Sequence, residues 1–246
     1  MNPDVSIIIA TFNAGKTLKV ALTSVLNQTF QSWECVIVDG GSKDNTVEII
    51  REYELKDNRF RHISEPDNGI YDAFNKGWRM AKGEWVYYLG SDDRLTKESF
   101  TTLLKEKHPD CDVISGDVWI EKLDGTIKPN VSKGFNGCHQ GKLVRRSIIE
   151  KMNGFDEQYR ILADKDLMIK MEKYGVKIVN IHSMVAYFFM DGASQKLSNE
   201  WKRYKERVKI YRANKVSRCA YITCALIHFR IICSYIYRKL RNRISK

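Results

Sequence analysis

A chain of 246 residues with 43% hydrophobic content is long enough to bury one sizeable core and carry a small appendage. Its six cysteines, at 35, 111, 138, 219, 224 and 233, form no CxxC pair, and no signal-like segment precedes the first apolar run, so neither a zinc knuckle nor a secreted disulfide framework is indicated and a reducing cytoplasm is expected. The net charge of +11 is concentrated: residues 201–246 hold fourteen Lys or Arg against the single acid Glu206, a local +13, which leaves −2 (11 minus 13) for the rest. Positive charge held in a tail, rather than on a folded face that reads a ligand, argues against a nucleic-acid-binding protein.

In chain order, Val5 to Ala10 is a β-branched apolar run that reads as a buried strand. Leu18, Leu22, Val25 and Leu26 recur at helical spacing, and Glu34 to Val38 returns as a second buried strand, completing a βαβ unit. Asn45 and Glu48 have the spacing of a capping box ahead of Ile49, Ile50 and Tyr53, which starts the second helix just after Gly40-Gly41-Ser42. Phe74, Trp78 and Ala81 mark a third helix, and Glu84 to Leu89 a third strand. Residues 112–115 and 177–181 read as further strands, with a helix at Ser147 and another from about Asp166 to Tyr174. The expected fold is α/β, a Rossmann-like, mostly parallel central sheet with helices on both faces, over residues 1–200, followed by a basic helical tail over 201–246.

Four acidic or polar clusters are read as falling at the ends of predicted strands: Thr11-Phe12-Asn13, Asp39 to Ser42, Gly90-Ser91-Asp92-Asp93 and Ala163 to Asp166. In an open α/β sheet ligands bind in the crevice beyond the carboxyl ends of the strands. No P-loop and no G-x-G-x-x-G follows the first strand, which leaves ordinary nucleoside-triphosphate and NAD sites without support. Thr11, Asn13 and Asp39 can hydrogen-bond a base and ribose, while paired carboxylates suit Mg²⁺ or Mn²⁺, hard cations that bridge carboxylates to phosphates. That is the chemistry of a nucleoside-diphosphate site.

The stretches Val5 to Asn13, Val36 to Thr46, Asn68 to Gly77, Gly90 to Asp93, and Gly154 to Glu157 leading into Ala163 to Asp166 occur in the order seen in family 2 glycosyltransferases of the GT-A fold, bacterial polysaccharide type, which the chain resembles over residues 3 to about 195. The resemblance implies that Thr11, Phe12, Asn13, Asp39, Asn75, Lys76 and Asp92 hold the nucleotide-sugar. It implies that Asp93 binds the metal, with Asp92 contacting the ribose or the water shell of the metal, and that Asp164 is the catalytic base. His139, Gln140 and Asp166 fall near the acceptor or donor sugar, with helix capping the other reading for Asp166 and a packed structural role for His139. Two positions depart from the pattern: Ser91 stands where relatives often carry the leading acid of a D-x-D motif, and Phe74 where many carry an arginine that contacts the pyrophosphate. His182 reads as a strand-end residue, and Asp191 to Ser194 resembles the flexible loop over the donor.

Residues 216–237 approach the length of a membrane span but contain Arg218, His228 and Arg230; their apolar positions gather on one helical side, as in a helix lying on an anionic membrane. A helix packed on the catalytic domain is the other reading. With this tail, the family resemblance implies an inverting hexosyltransferase that moves a hexose, glucose or galactose, from a UDP-sugar to a polyprenyl-diphosphate-linked saccharide at the cytoplasmic face of the inner membrane, with Mn²⁺ or Mg²⁺ as cofactor and the oligomeric state open. The alternatives are a nucleotidyltransferase, a nucleic-acid-binding module using the tail, and a scaffold that keeps the fold without activity.

Overall fold

The computed structural model describes residues 2–107, 109–190 and 199–217, together with 219, 221–223, 225, 226 and 228. The chain forms two compact units, residues 1–192 and 193–246, and the sheet lies in the first. Strands β1 (Val5–Thr11) and β2 (Trp33–Asp39) are buried at every position, as expected of β-branched runs covered on both faces. Helix α1 (Leu18–Leu26) between them turns Leu18, Ala21, Leu22 and Val25 inward. Then come α2 (Thr46–Lys56), β3 (Phe60–Ser64), α3 (Ile70–Met80) and β4 (Trp85–Gly90). The order β3-β2-β1-β4 is parallel throughout. Its register puts Thr11 beside Asp39 and Ala10 beside Gly90, so three strands end level and deliver their polar residues to one edge.

Beyond β4 the sheet becomes mixed. The elements are β5 (Arg94–Leu95), α4 (Ser99–Leu104), β6 (Val113–Glu121), β7 (Ile127–Asn130), β8 (Lys142–Arg145), α5 (Arg146–Lys151), α6 (Ala163–Lys173) and β9 (Ile178–Phe189). Strand β8 runs antiparallel between β4 and β6, while β6 and β9 pair in parallel. β9 extends well past the predicted end at 181 to meet β5, because its second half finds a partner that local sequence does not announce. β3 escapes the apolar pattern for a related reason: it borders the sheet, and its Arg61 pairs with Glu34 of β2 at 3.0 Å. The expected capping box at Asn45 does not form. Asp44 caps α2 instead, accepting the Thr46 amide at 3.1 Å and its hydroxyl at 2.5 Å.

Helix α3 lies close on the sheet because Gly77 has no side chain. A Cβ there would sit 2.3 Å from Ile8 Cγ2 on β1. In the second unit, α7 (Glu200–Ala213) buries Glu200, which pairs with Arg203 and, at 3.2 Å, with His228 Nδ1; Trp201, Tyr204 and His228 stack beside it. No helix among the described residues is long and apolar enough to cross a membrane. Most of the predicted amphipathic stretch at 216–237 lies outside the described residues.

Gly77→Ala is expected to cost about 1–3 kcal/mol by overpacking, read from urea unfolding. If the Ile8 contact is the cause, adding Ile8→Ala gives a combined loss smaller than the sum of the two single losses.

Candidate active site

At the end of β4 the chain turns through Ser91, Asp92 and Asp93. A Cβ on Gly90 would lie 2.5 Å from Asp93 Oδ2 and 2.9 Å from Asp92 Oδ1, so the missing side chain leaves the space into which both carboxylates fold. Asp93 is 1% exposed. Its Oδ1 accepts the Phe189 amide of β9 at 2.9 Å, and Oδ2 is buried without a hydrogen-bond partner among the described residues. Burial, followed by repulsion from Asp92, pushes the Asp93 pKa up to about 7, opposed by hydrogen bonding from Phe189, Gly90 and Gln140. Two hard oxygen donors, one of them uncompensated, fit Mg²⁺ or Mn²⁺, which take one or two carboxylates and complete their shell with phosphate oxygens and water. No cluster of three or more His, Cys, Asp or Glu able to hold a metal forms among the described residues.

The second carboxylate centre is Asp164, in the first turn of α6. Its Oδ1 accepts the Tyr71 hydroxyl at 3.0 Å and the Lys165 amide at 2.8 Å. Between Asp93 and Asp164 runs the short 3-10 turn of residues 139–141 with Cys138 ahead of it. The charges of both aspartates act on the Cys138 thiol, which burial pushes up to about 12 and which donates to Gln140 Oε1 at 2.8 Å. His139 packs against Phe74 and Tyr88, each ring 6.0 Å away. Burial lowers its pKa, Asp164 opposing, which favours the neutral imidazole, and its Nε2 is buried without a partner among the described residues. Lys142 fixes this segment from below, donating to Ser115 Oγ at 3.1 Å and to the Gly134 and Cys138 carbonyls at 2.9 and 3.4 Å. With only neutral partners, its ammonium is pushed down by burial to about 8.

The ends of β1 and β2 supply the third group. Thr11 Oγ1 is buried without a partner among the described residues, and Phe12 is 61% exposed, an aromatic face suited to stacking on a base. Asn13 joins two loops: its amide donates to Ser42 Oγ and its Oδ1 accepts the Lys43 amide, both at 2.8 Å. Asp39 is fully buried and accepts the Gly41 and Ser42 amides at 3.1 and 3.0 Å, the Ser64 hydroxyl at 2.6 Å and the Ser42 hydroxyl. In this geometry it braces the strand-to-helix turn, three of these bonds falling on Oδ2 and one on Oδ1.

Three of the expected site residues are engaged with neighbouring protein groups in this structure. Asn75 spends all four of its amide positions: Nδ2 donates to the Phe155 carbonyl at 2.9 Å and to Glu157 at 2.7 Å, and Oδ1 accepts Trp78 Nε1 at 3.1 Å and the Phe155 amide at 2.9 Å. It ties α3 to the segment before α6 and has nothing left for a donor sugar. Lys76 pairs with Glu65 at 2.8 Å and donates to the Pro66 carbonyl at 3.1 Å, so in this structure it holds the β3–α3 loop. Asp166 is 1% exposed and pairs with Lys170 one turn on at 2.5 Å, a contact within α6. His182, within β9, is exposed and 3.8 Å from Asp117; the loop Asp191 to Ser194 lies outside the described residues.

The sequence reading passed over Tyr71, Lys142 and the space above Gly90. Only the last had a local signal, a glycine at a strand end directly before two acids. Tyr71 and Lys142 act on groups distant in the chain, which spacing does not reveal.

The model of glycosyl transferase family 2 matches residues 6–168. The chain belongs to this family. A PGL/p-HBAD biosynthesis glycosyltransferase of Mycobacterium bovis is 34% identical over 185 residues, 68% of this chain and 69% of the relative. Chondroitin synthase of Escherichia coli is 28% identical over 188 residues, 70% of this chain and 27% of that protein. Among solved structures, S. aureus TarS (1–349) with UDP-GlcNAc has a TM-score of 0.69 at 21% identity, and the mannosyltransferase PcManGT from Pyrobaculum calidifontis with GDP-Man and Mn²⁺ has 0.70 at 16%. They cover 86% and 89% of this glycosyltransferase, which spans 65% and 66% of their chains. The fold is therefore GT-A.

Because the folded-state pKa of Asp93 is raised above its unfolded value near 3.9, its contribution to stability is fully present at low pH and is lost as pH rises towards about 7. Asp93→Asn is expected to be more stable than the parent at pH 8, by on the order of 1–3 kcal/mol, with little of that gain at pH 4; urea unfolding at both pH values reads the difference. Asn75→Ala is expected to cost about 2–4 kcal/mol, since it leaves buried backbone groups unpaired, while calorimetry finds nucleotide affinity unchanged.

Proposed function

We propose that this family 2 glycosyltransferase is an inverting, divalent-cation-dependent hexosyltransferase. It moves glucose or galactose from a UDP-sugar to a saccharide on a polyprenyl diphosphate lipid, such as N-acetylglucosamine, and forms a β-linkage during assembly of an O-antigen, capsule or exopolysaccharide repeat unit. The observation that carries the reading is the convergence of Asp93 and Asp164 on the Cys138 to Gln140 segment, within range of the same thiol. One carboxylate site is fit to meet a diphosphate through a cation, and the other is fit to take a proton.

Asp93 and Asp92 would hold Mn²⁺ or Mg²⁺, which when bound offsets the charge that grows on the departing diphosphate. Thr11 Oγ1, buried without a partner among the described residues, offers a hydrogen bond to the nucleotide, and the exposed Phe12 ring a stacking face. Asp164 takes the proton of the acceptor hydroxyl as its oxygen attacks the anomeric carbon. The bond from that carbon to the diphosphate breaks on the opposite side, so an α-linked donor gives a β-linked product. His139 Nε2 and the Gln140 side chain offer polar contacts to a sugar.

Support for the donor class comes from the ligands bound by the solved relatives, UDP-GlcNAc in one and GDP-Man in the other. Support for the acceptor class comes from relatives in polysaccharide and glycolipid synthesis. Residues 1–200 form the catalytic domain in this reading. Residues 201–246, with a net +13 by sequence, attach it to the anionic cytoplasmic face of the inner membrane, where a lipid-linked acceptor is presented.

Mass spectrometry of products from the purified protein with Mn²⁺, mixed UDP-hexoses and a synthetic N-acetylglucosaminyl diphosphate lipid is expected to find one added hexose. Asp164→Asn should keep UDP binding and lose transfer by roughly 10²-fold or more; undiminished turnover would move the base elsewhere. Truncation after residue 200 should abolish sedimentation with anionic vesicles.

A further inference from the structure

Tyr71 sits in the first turn of α3, 8% exposed, its ring packed at 5.3 Å from Phe155 and 6.4 Å from Phe74. Its hydroxyl is 3.0 Å from Asp164 Oδ1 and 2.8 Å from the Ile161 carbonyl. Both are acceptors, and a phenol has one proton to give. The hydroxyl can therefore direct that proton to either of these acceptors, the carboxylate or the backbone just before α6. The Lys165 amide, 2.8 Å from the same Oδ1, belongs to the helix and has no such choice.

We infer that Tyr71 is the positioning residue of the proton-accepting carboxylate, a switchable donor that holds Asp164 with Oδ2 ready for the acceptor and follows its change of charge. The inference rests on the reading of Asp164 as the base. Both hydrogen bonds fall on Oδ1, and among the described residues Oδ2 has none. In the transfer step the acceptor oxygen bonds to the anomeric carbon, and the bond from that carbon to the diphosphate breaks, its electron pair leaving on UDP. The acceptor proton passes to Asp164 Oδ2. While Asp164 is an anion, the Tyr71 proton points at Oδ1 and stabilises the charge. Once Oδ2 is protonated, Oδ1 becomes a weaker acceptor and the Tyr71 proton turns to the Ile161 carbonyl, with no movement of heavy atoms. Fixed orientation is what such a base needs, since misplacement of a catalytic group by about 1 Å costs on the order of 10²-fold.

Among the described residues, His139 and Cys138 from the segment opposite feel the charge of Asp164, and Lys165 follows it on its own helix. Burial favours the neutral imidazole of His139, Cys138 remains a thiol, and Lys165 Nζ bonds Asn136 at 2.5 Å. Tyr71, across from that helix, brings its hydroxyl to Asp164 as a side-chain donor able to follow its charge.

Tyr71→Phe keeps the ring and its packing and removes only the hydroxyl. Carbon-13 NMR titration of the Asp164 carboxyl, assigned by its loss in Asp164→Asn, is expected to show the midpoint rising by about one pH unit, a tenfold weaker preference for the anion. Turnover with UDP-glucose and the N-acetylglucosaminyl diphosphate lipid should fall about tenfold near neutral pH, its acid limb moving upward with that midpoint and the KM for UDP-glucose unchanged. An unmoved NMR midpoint overturns the inference, as does a loss of turnover that comes only through a raised KM. If the parent itself transfers nothing, the proposed function fails, yet the NMR titration still decides for or against the role of Tyr71.

Discussion

The arrangement of this transferase depends on keeping one carboxylate nearly dry beside a second one, at the end of a central strand. Asp93 is buried because β4 runs between β1 and β8 and because β9 returns far along the chain to set the Phe189 amide on Oδ1. Burial and the neighbouring Asp92 both disfavour its anion. A carboxylate in that condition has two ways to relieve the strain: it takes up a proton, or it meets a cation. The site thus carries an energetic demand at the strand end, and Gly90 makes the arrangement possible by leaving room for both side chains.

The aromatic cluster behind the site connects its two carboxylate centres. Phe74, Tyr88 and Phe155 pack at 4.8 to 5.7 Å from one another, with Tyr71 and His139 on the flanks. Phe74 stands where an arginine is common in the family pattern, and its surroundings explain why the ring suits this chain: the position is 1% exposed and enclosed by other rings. A guanidinium there would need several buried acceptors. The cluster sets α3 and the start of α6 in a fixed relation, which is what aligns Tyr71 with Asp164. Lys142 does similar work on the other side by tying the carbonyls of Gly134 and Cys138 to the floor of β6.

How far the site was legible differs from residue to residue. Asp93 and Asp164 stood out because an acid at the end of an apolar run, or in the first turn of a helix, is a local event that the sequence displays. Asn75 lies in an equally recognisable stretch, yet its amide is used up on Phe155, Glu157 and Trp78. Family resemblance marks such a position as important without distinguishing a ligand contact from a brace. Asp39 is intermediate, placed at the expected strand end but engaged by Ser42 and Ser64.

By itself the sequence determined the parallel half of the sheet, the order of its strand-end clusters and the family, because buried β-branched runs and helical spacing are encoded within a few residues of chain. The tertiary structure alone decided the rest. The antiparallel insertion of β8, the long reach of β9 to Asp93, the desolvation that raises the Asp93 pKa, and the pairing of Tyr71 with Asp164 across 93 residues all join segments far apart in the chain. Such contacts leave no periodicity behind, and burial in a mixed sheet is a property of neighbours that local sequence does not name.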